Sequence, residues 1–310
     1  MVHQLGPSAY MAKADIKHAF RLCPVKPREW HLLGYQWAGA FYYDMVLPFG
    51  SRSSPSIFNS FADLLCWILQ RIVLIHLIIH YLDDFFWCNK TFEDCLRDLD
   101  NLVDLFARLN IPLAPEKLVG PAKILVFLGI EIDTELMVIR LPEDKLAEIL
   151  HLLELWACRK KCTKRELLSL LGSLNFASRI IKCGRLFLRR LIDVSKTVSR
   201  YEHRISLNAE SQADISWWME FFPSWNGKEK IHPLPITNFD IELATDASGS
   251  GIGASFGNRW FSLPLSDFKM PWIPRDKFDI NFWELLALTV AVLTWGVAWK
   301  DKQIIIYVDN

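Results

Sequence analysis

Hydrophobic and polar positions along this 310-residue chain repeat with two periods, near 2 and near 3.6, and the changes between them mark its elements. In the first region a short strand is expected to end near Asp15, within AKADIKHAF. HLLGYQW (31–37) and AFYYDMVL (40–47) flank an Ala-Gly turn and read as a hairpin. Ser54 and Pro55 read as an N-cap followed by proline at the first helical position. Phe58, Phe61, Leu65 and Ile68 then share one face of a helix reaching about Arg71. In IIHYLDDFFWCN two β-rich runs flank Asp83 and Asp84, which puts both acids at a hairpin tip. A helix from about Phe92 to Leu109 stops at Asn110-Ile-Pro, and ILVFLGIEID (124–133) reads as a further strand pair.

The second region is helical. Leu146, Ile149, Leu153 and Trp156 keep helical spacing after Pro142, and Thr163 with Glu166 three residues on is a capping box opening a helix through Leu174. A third helix carries Arg185, Arg189 and Arg190, a fourth spans roughly 206–222, and Pro223 to Pro235 reads as a linker. In the third region IELATDASG, GIGASFGN and NRWFSLPL read as strands, Phe282 to Trp299 as an apolar helix, and QIIIYVDN as a buried strand. The order βββαβ makes this an α+β domain. Repeats and low-complexity tracts are absent from the sequence.

Composition changes this picture in three places. Apolar residues make up 51% of the chain, which supports packed cores rather than disorder. The formal net charge is zero, yet charge segregates: Arg159 to Arg204 holds thirteen Lys and Arg against Glu166, Asp193 and Glu202. Such a stretch is either a solvated helical face or a surface for a polyanion. The seven cysteines are irregularly spaced, which fits reduced thiols in an intracellular, unsecreted protein better than a zinc site or a disulfide framework. MVHQLGPSAYMAKAD has no signal core, and the stretch Cys66 to Leu82 is interrupted by Gln70, Arg71, His76 and His80. No membrane association is expected.

The acids carry the candidate chemistry. Asp15 ends a strand, and Asp83 and Asp84 sit at a turn between strands. Adjacent Asp residues are common in turns for geometric reasons alone. Here an apolar strand precedes the pair and a strand-end acid lies upstream. Neighbouring carboxylates repel unless a cation separates them, and hard oxygen donors suit the two ions of metal-assisted phosphoryl transfer.

ADIKHAF, LPFGSRSSPSIFN, YLDDFF, LAPEK and FLGIEI stand in the order of the polymerase motifs of reverse transcriptases, which the chain resembles. With TDAS further on, the wording is most similar to DIRS-type retrotransposons. The resemblance implies an α+β polymerase palm with partial fingers over 1–140, a helical thumb over 141–205, a connection over 206–238 and the first part of an RNase H-like domain over 239–310. It implies RNA-directed DNA polymerase activity with two Mg²⁺ or Mn²⁺ ions per active site, held by Asp15, Asp83 and Asp84. Phe20 matches the aromatic gate against a ribose 2′-hydroxyl, Gly50 positions template and nucleotide, and Lys117 matches a proton donor to pyrophosphate. Phe127, Leu128 and Gly129 match the primer grip. Phe49 departs from the family, where many retroviral enzymes have glutamine.

The same resemblance gives nucleic-acid contacts to Arg159, Lys160, Lys161, Lys164, Arg179, Lys182, Arg185 and Arg189. Asp246, Glu284 and Asp309 match a second metal-binding set, that of RNase H, which hydrolyses the RNA strand of an RNA–DNA hybrid. The implied partners are an RNA or DNA template, a primer, an RNA–DNA hybrid and dNTPs, in cytoplasm or nucleus. Relative to the family the chain is expected to be truncated at both ends, lacking upstream fingers and the close of RNase H. A catalytically inactive nucleic-acid-binding remnant is the competing expectation. Neither a Gly-x-Ser-x-Gly elbow nor a His-Glu-x-x-His site supports a different hydrolase.

Overall fold

The strand ending at Asp15 is the centre of the first sheet. The structure is a computed structural model that describes residues 1–225, 227–231, 239–268, 279–300 and 302–308, without the side chain of residue 182. Two units emerge, Met1–His232 and Pro233–Asn310. In chain order the first runs α1 (Val2–Leu5), β1 (Tyr10–Asp15), β2 (Gly34–Trp37), β3 (Ala40–Tyr43), α2 (Ser54–Arg71), β4 (Ile78–Tyr81), β5 (Asp84–Asn89), α3 (Phe92–Arg108), β6 (Val119–Ala122), β7 (Ile124–Phe127), β8 (Ile130–Asp133) and β9 (Val138–Arg140). There follow α4 (Glu143–Trp156), β10 (Lys161–Thr163), α5 (Lys164–Ala177), α6 (Arg189–Lys196), β11 (Arg204–Ser206), α7 (Ala209–Ser224) and β12 (Lys228–Lys230).

The first sheet has the order β4-β5-β1-β6. Side chains alternate across a strand. Ala12 and Ala14 of β1, with Phe85 and Trp87 of β5, therefore meet Phe58 and Leu65 of α2 and Leu102 and Phe106 of α3 in one core. Met11, Phe86 and Cys88 face the other way and pack with Val2 and Leu125. Burial on both faces explains why β1 shows no polar alternation in the sequence. Its small residues also let β6 close in. At Gly120 (φ +115°) a Cβ would sit 2.5 Å from the Cβ of Ala12 and 2.6 Å from the Met11 carbonyl. Only glycine fits there.

A second sheet, β12-β9-β8-β7, joins this sheet region to the helices. Helices α4 to α7 enclose one core that includes Ile149, Leu153, Trp156, Leu170, Leu174, Leu191 and Trp218. The expected capping box is present: the Thr163 side chain accepts from Glu166 N–H, and the Glu166 carboxylate accepts from Thr163 N–H. The third helix differs from expectation. Residues 182–188 form a 3-10 stretch and the α-helix starts at Arg189. Gly184 explains the tight path, since a Cβ there would lie 2.2 Å from the Trp218 ring. Strands β10 and β11 were not expected; three residues each is too short to reveal a period of 2.

The second unit contains β13 (Ile241–Ala247), β14 (Gly251–Phe256), β15 (Arg259–Pro264), α8 (Ile280–Trp295) and β16 (Ile304–Tyr307). The expected βββαβ order gives a sheet β15-β14-β13-β16, with β13 and β16 parallel. Ala291 and Trp295 of α8 pack on Ile241, Leu243 and Ala254. By length and composition Ile280–Trp299 is apolar enough to cross a membrane. Here one face of α8 covers a sheet, while Leu293 and the following Val297 are 79% and 95% exposed.

Candidate active site

Strand register brings the first acids together. Asp15 ends β1, Asp84 begins β5, and the two are direct cross-strand partners. Asp83 lies in the two-residue turn between Tyr81 and Asp84, which are paired across β4 and β5. The other turn residue, Leu82, has φ +53°, a left-handed conformation that such a tight hairpin demands and that L side chains resist. The Ile16 N–H donates to the Asp83 carbonyl at 3.0 Å, tying the turn to the end of β1. Lys117 sits in a 3-10 turn that Ala114 N–H anchors to the Asp15 carbonyl at 2.9 Å. From there its Nζ donates to Asp15 Oδ2 at 2.6 Å.

The electrostatics follow from that crowding. Burial, first, raises the Asp83 carboxyl above the ordinary range, and the nearby Asp15 adds to the rise. Burial also raises Asp84, with further upward pushes from Asp83 and Asp15 and a hydrogen bond to Asp15. The Asp15 carboxylate in turn raises Lys117, holding it firmly as an ammonium. Three hard oxygen donors at one edge, with Asp83 and Asp84 raised by burial and like charge, suit a divalent cation chemically. Among the described residues, however, no group of three or more His, Cys, Asp and Glu is arranged to hold an ion. The Lys117 ammonium lies against Asp15 Oδ2.

The remaining expected residues surround this edge unevenly. Half-buried Phe20 packs against Phe49 at 5.4 Å and Phe58 at 5.6 Å between ring centroids. Phe49, the departure from the family motif, is thus an aromatic neighbour of the gate candidate. Gly50 has φ +86° and open space around it. Phe127 packs on Phe86 at 4.9 Å, and Leu128 and Gly129 form the left-handed turn between β7 and β8. A Cβ on Gly129 would lie 2.9 Å from the Phe176 ring, so this turn rests on α5.

The basic residues divide by partner. Arg159 pairs with Glu166 and lies over the Trp156 ring, Lys164 donates to the Val198 carbonyl, Arg179 lies over Phe176, and Arg189 pairs with Asp193. Lys160, Lys161 and Arg185 are exposed and have no ion pair among the described residues. The side chain of Lys182 lies outside the described residues. Arg190 is withdrawn from any such role: it makes a two-pronged pair with Asp214, which is fully buried. Arg204 closes the basic stretch but is not among the contacts that the resemblance assigns. The β10–β11 pairing sets it opposite Thr163, where it lines a cavity of about 320 Å³ with Arg159 and Lys161.

The second set is less assembled. Asp246 is exposed on β13, on the alternate face from Leu243 and Thr245. Glu284 is buried in α8, just past its first turn. Among the described residues no hydrogen bond joins the two acids, and Asp309 lies outside the described residues.

Residues 1–132 match the reverse transcriptase (RNA-dependent DNA polymerase) family. The chain is 26% identical to the putative enzymatic polyprotein of Cassava vein mosaic virus, across 100% of the chain and 46% of that polyprotein. It is 21% identical to the transposon Tf2-3 polyprotein of Schizosaccharomyces pombe, across 95% of the chain and 21% of the polyprotein. The genome polyprotein of Petunia vein clearing virus matches 41% of the chain at 25% identity, a match to 6% of that polyprotein. The chain therefore spans less than half the length of these relatives. Among solved structures, foamy viral protease-reverse transcriptase in complex with RNA/DNA hybrid superposes with a TM-score of 0.60 at 18% identity, covering 96% of this chain and 38% of that one. The same viral protein, as its dRH form with double-stranded DNA, gives 0.60 at 17%, covering 96% and 49%. The chain has the α+β fold of these reverse transcriptases, and its first 132 residues carry the sequence match to that family.

Proposed function

We propose that this chain is the polymerase part of a retroelement, of DIRS type by its motifs, and that it extends a primer on an RNA or DNA template with dNTPs. One observation carries the reading: Asp15, Asp83, Asp84 and Lys117 converge at one sheet edge. Asp15 and Asp83, with Asp84, would hold two Mg²⁺ or Mn²⁺ ions, which when bound activate the attacking 3′-oxygen and neutralise the departing pyrophosphate. Lys117 places an N–H beside the same carboxylates and would deliver a proton to that pyrophosphate. Phe20 and the Gly50 loop would bound the nucleotide. The β7–β8 turn at Phe127, Leu128 and Gly129 would fix the primer end.

Exposed cations of the helical part would take phosphates, without reading sequence. Foamy viral proteins of this fold, captured with double-stranded DNA and with RNA/DNA hybrid, support that class of partner. Asp246, Glu284 and Asp309 form the proposed RNase H set, acting on the RNA strand of a hybrid. The site of action is intracellular, in cytoplasm or nucleus.

A second reading is a duplex-binding remnant without catalysis, since in this arrangement Lys117 occupies an Asp15 oxygen that an ion would need. Primer extension on an RNA template with Mg²⁺ or Mn²⁺ separates the two. Incorporation that disappears in Asp83→Asn supports the polymerase; duplex binding without incorporation supports the remnant.

A further inference from the structure

The turn carrying Asp83 is held from two sides. On one side Ile16 N–H takes the Asp83 carbonyl. On the other, His80 Nδ1 lies 3.3 Å from the carbonyl oxygen of Leu82, the residue forced to φ +53°. A left-handed Leu persists only where its neighbours fix it. The ring of His80 is itself fixed. Its Nε2 lies 3.0 Å from Asp63 Oδ1 on α2, its face stacks on Phe85 at 5.4 Å, and its side chain is 9% exposed. Asn59 Nδ2 donates to the other oxygen of Asp63 at 2.9 Å.

Both partners of the ring are acceptors only. A carbonyl and a carboxylate offer lone pairs, and a neutral imidazole has one N–H to give. A carboxylate at Nε2 would draw that single proton to its own side, leaving lone pairs facing each other at Nδ1 and the Leu82 oxygen. Only the imidazolium donates to both. Cross-strand pairing puts His80 on the face of Phe85, whereas Tyr81 shares the other face with Asp84. From α2 the titratable groups near the ring are Asp63 and Cys66, β5 presents the Phe85 ring, and the turn presents its backbone.

We propose that His80 is a positioning residue: as an imidazolium bridging Asp63 and the Leu82 carbonyl, it fixes the left-handed turn and thereby the place of the Asp83 carboxylate. The inference rests on the polymerase reading for its catalytic consequence and on side-chain geometry for the clamp.

Steady-state primer extension by the full chain tests the consequence. His80→Phe keeps the ring stack and removes both donors. It is expected to lower kcat about 10- to 100-fold, the scale of a misplaced reacting group, with KM for dNTP within about twofold. His80→Asn, whose amide N–H reaches the Nδ1 position, is expected to recover most of the loss. Where His80→Phe does not fold, His80→Gln, which reaches Asp63 but not Leu82, replaces it.

Nitrogen-15 spectra of the histidine-labelled chain at the assay pH test the clamp without catalysis. Protons on both His80 nitrogens, lost in Asp63→Leu, support it. Equal kcat in wild type and His80→Phe, or a ring protonated at Nε2 alone, overturns it. A wild type that extends no primer overturns the polymerase reading instead, and the spectra still decide the clamp.

Discussion

Asp84 shows how a proposed metal-binding role and stability oppose each other at a single residue. Its carboxyl is raised by burial and by two neighbouring acids. A raised carboxyl binds its proton more tightly in the folded chain than in the unfolded one. Its favourable contribution is therefore complete at low pH and lost as pH climbs from the ordinary carboxylate range through the raised folded value. Asp84→Asn removes the charge and should raise the midpoint of thermal unfolding by about 2 °C at neutral pH. The gain should vanish at pH 3, where wild type carries the proton anyway. Adding Mg²⁺ should stabilise wild type more than the variant, because the cation relieves in wild type what the substitution has already removed. A Tm that falls in Asp84→Asn at neutral pH would contradict this account of the acid edge.

Among elements, the start of α5 and the bend before α6 make the sharpest tests. Thr163→Ala deletes the side-chain cap and should cost about 1 kcal/mol in urea unfolding. Glu166 completes the box and is held down to about 2, first by the Thr163 backbone N–H and then by Arg159. A depressed carboxylate stabilises above its unfolded value and ceases to do so as pH falls. The difference between wild type and Glu166→Gln should thus be present at pH 7 and close between about pH 4.5 and 2. Gly184→Ala drives a methyl into the Trp218 ring and should cost about 1–3 kcal/mol or more, because a packed indole has nowhere to move.

These two sites also show what sequence reveals. The capping box was legible because it is written within four residues. Gly184 was not, because its need arises from a tryptophan 34 positions away. The acid edge was legible for the same local reason at Asp83 and Asp84, helped by the order of the polymerase motifs. The register joining Asp15 to Asp84, the contact of Lys117 and the buried pairing of Arg190 are long-range facts that no local period encodes. His80 was read only as an interruption of an apolar stretch, since its two acceptors lie in a turn and on another helix.

At the scale of the whole molecule, zero net charge conceals a usable cationic surface. Of the thirteen cations between Arg159 and Arg204, several are already spoken for: Arg159, Arg165, Arg189, Arg190 and Lys196 face carboxylates. Lys160, Lys161, Arg185, Arg200 and Arg204 are exposed and have neither an ion pair nor a side-chain hydrogen bond among the described residues. If those five meet phosphates of a duplex, the logarithm of affinity should fall with the logarithm of salt at a slope of about −4.5. Fluorescence anisotropy with labelled duplexes of unrelated sequence measures that slope directly. Replacing Lys161 and Arg204 together, the two free cations at the β10–β11 cavity, should flatten it by nearly 2 for every sequence alike, since each lost phosphate contact removes about 0.9. The paired arginines predict the opposite. Arg189→Ala should leave the slope nearly unchanged, because its charge is answered by Asp193 at 3.0 Å before any nucleic acid arrives. A slope near zero in wild type would remove the duplex from this surface and leave the excess positive charge as a solvated helical face.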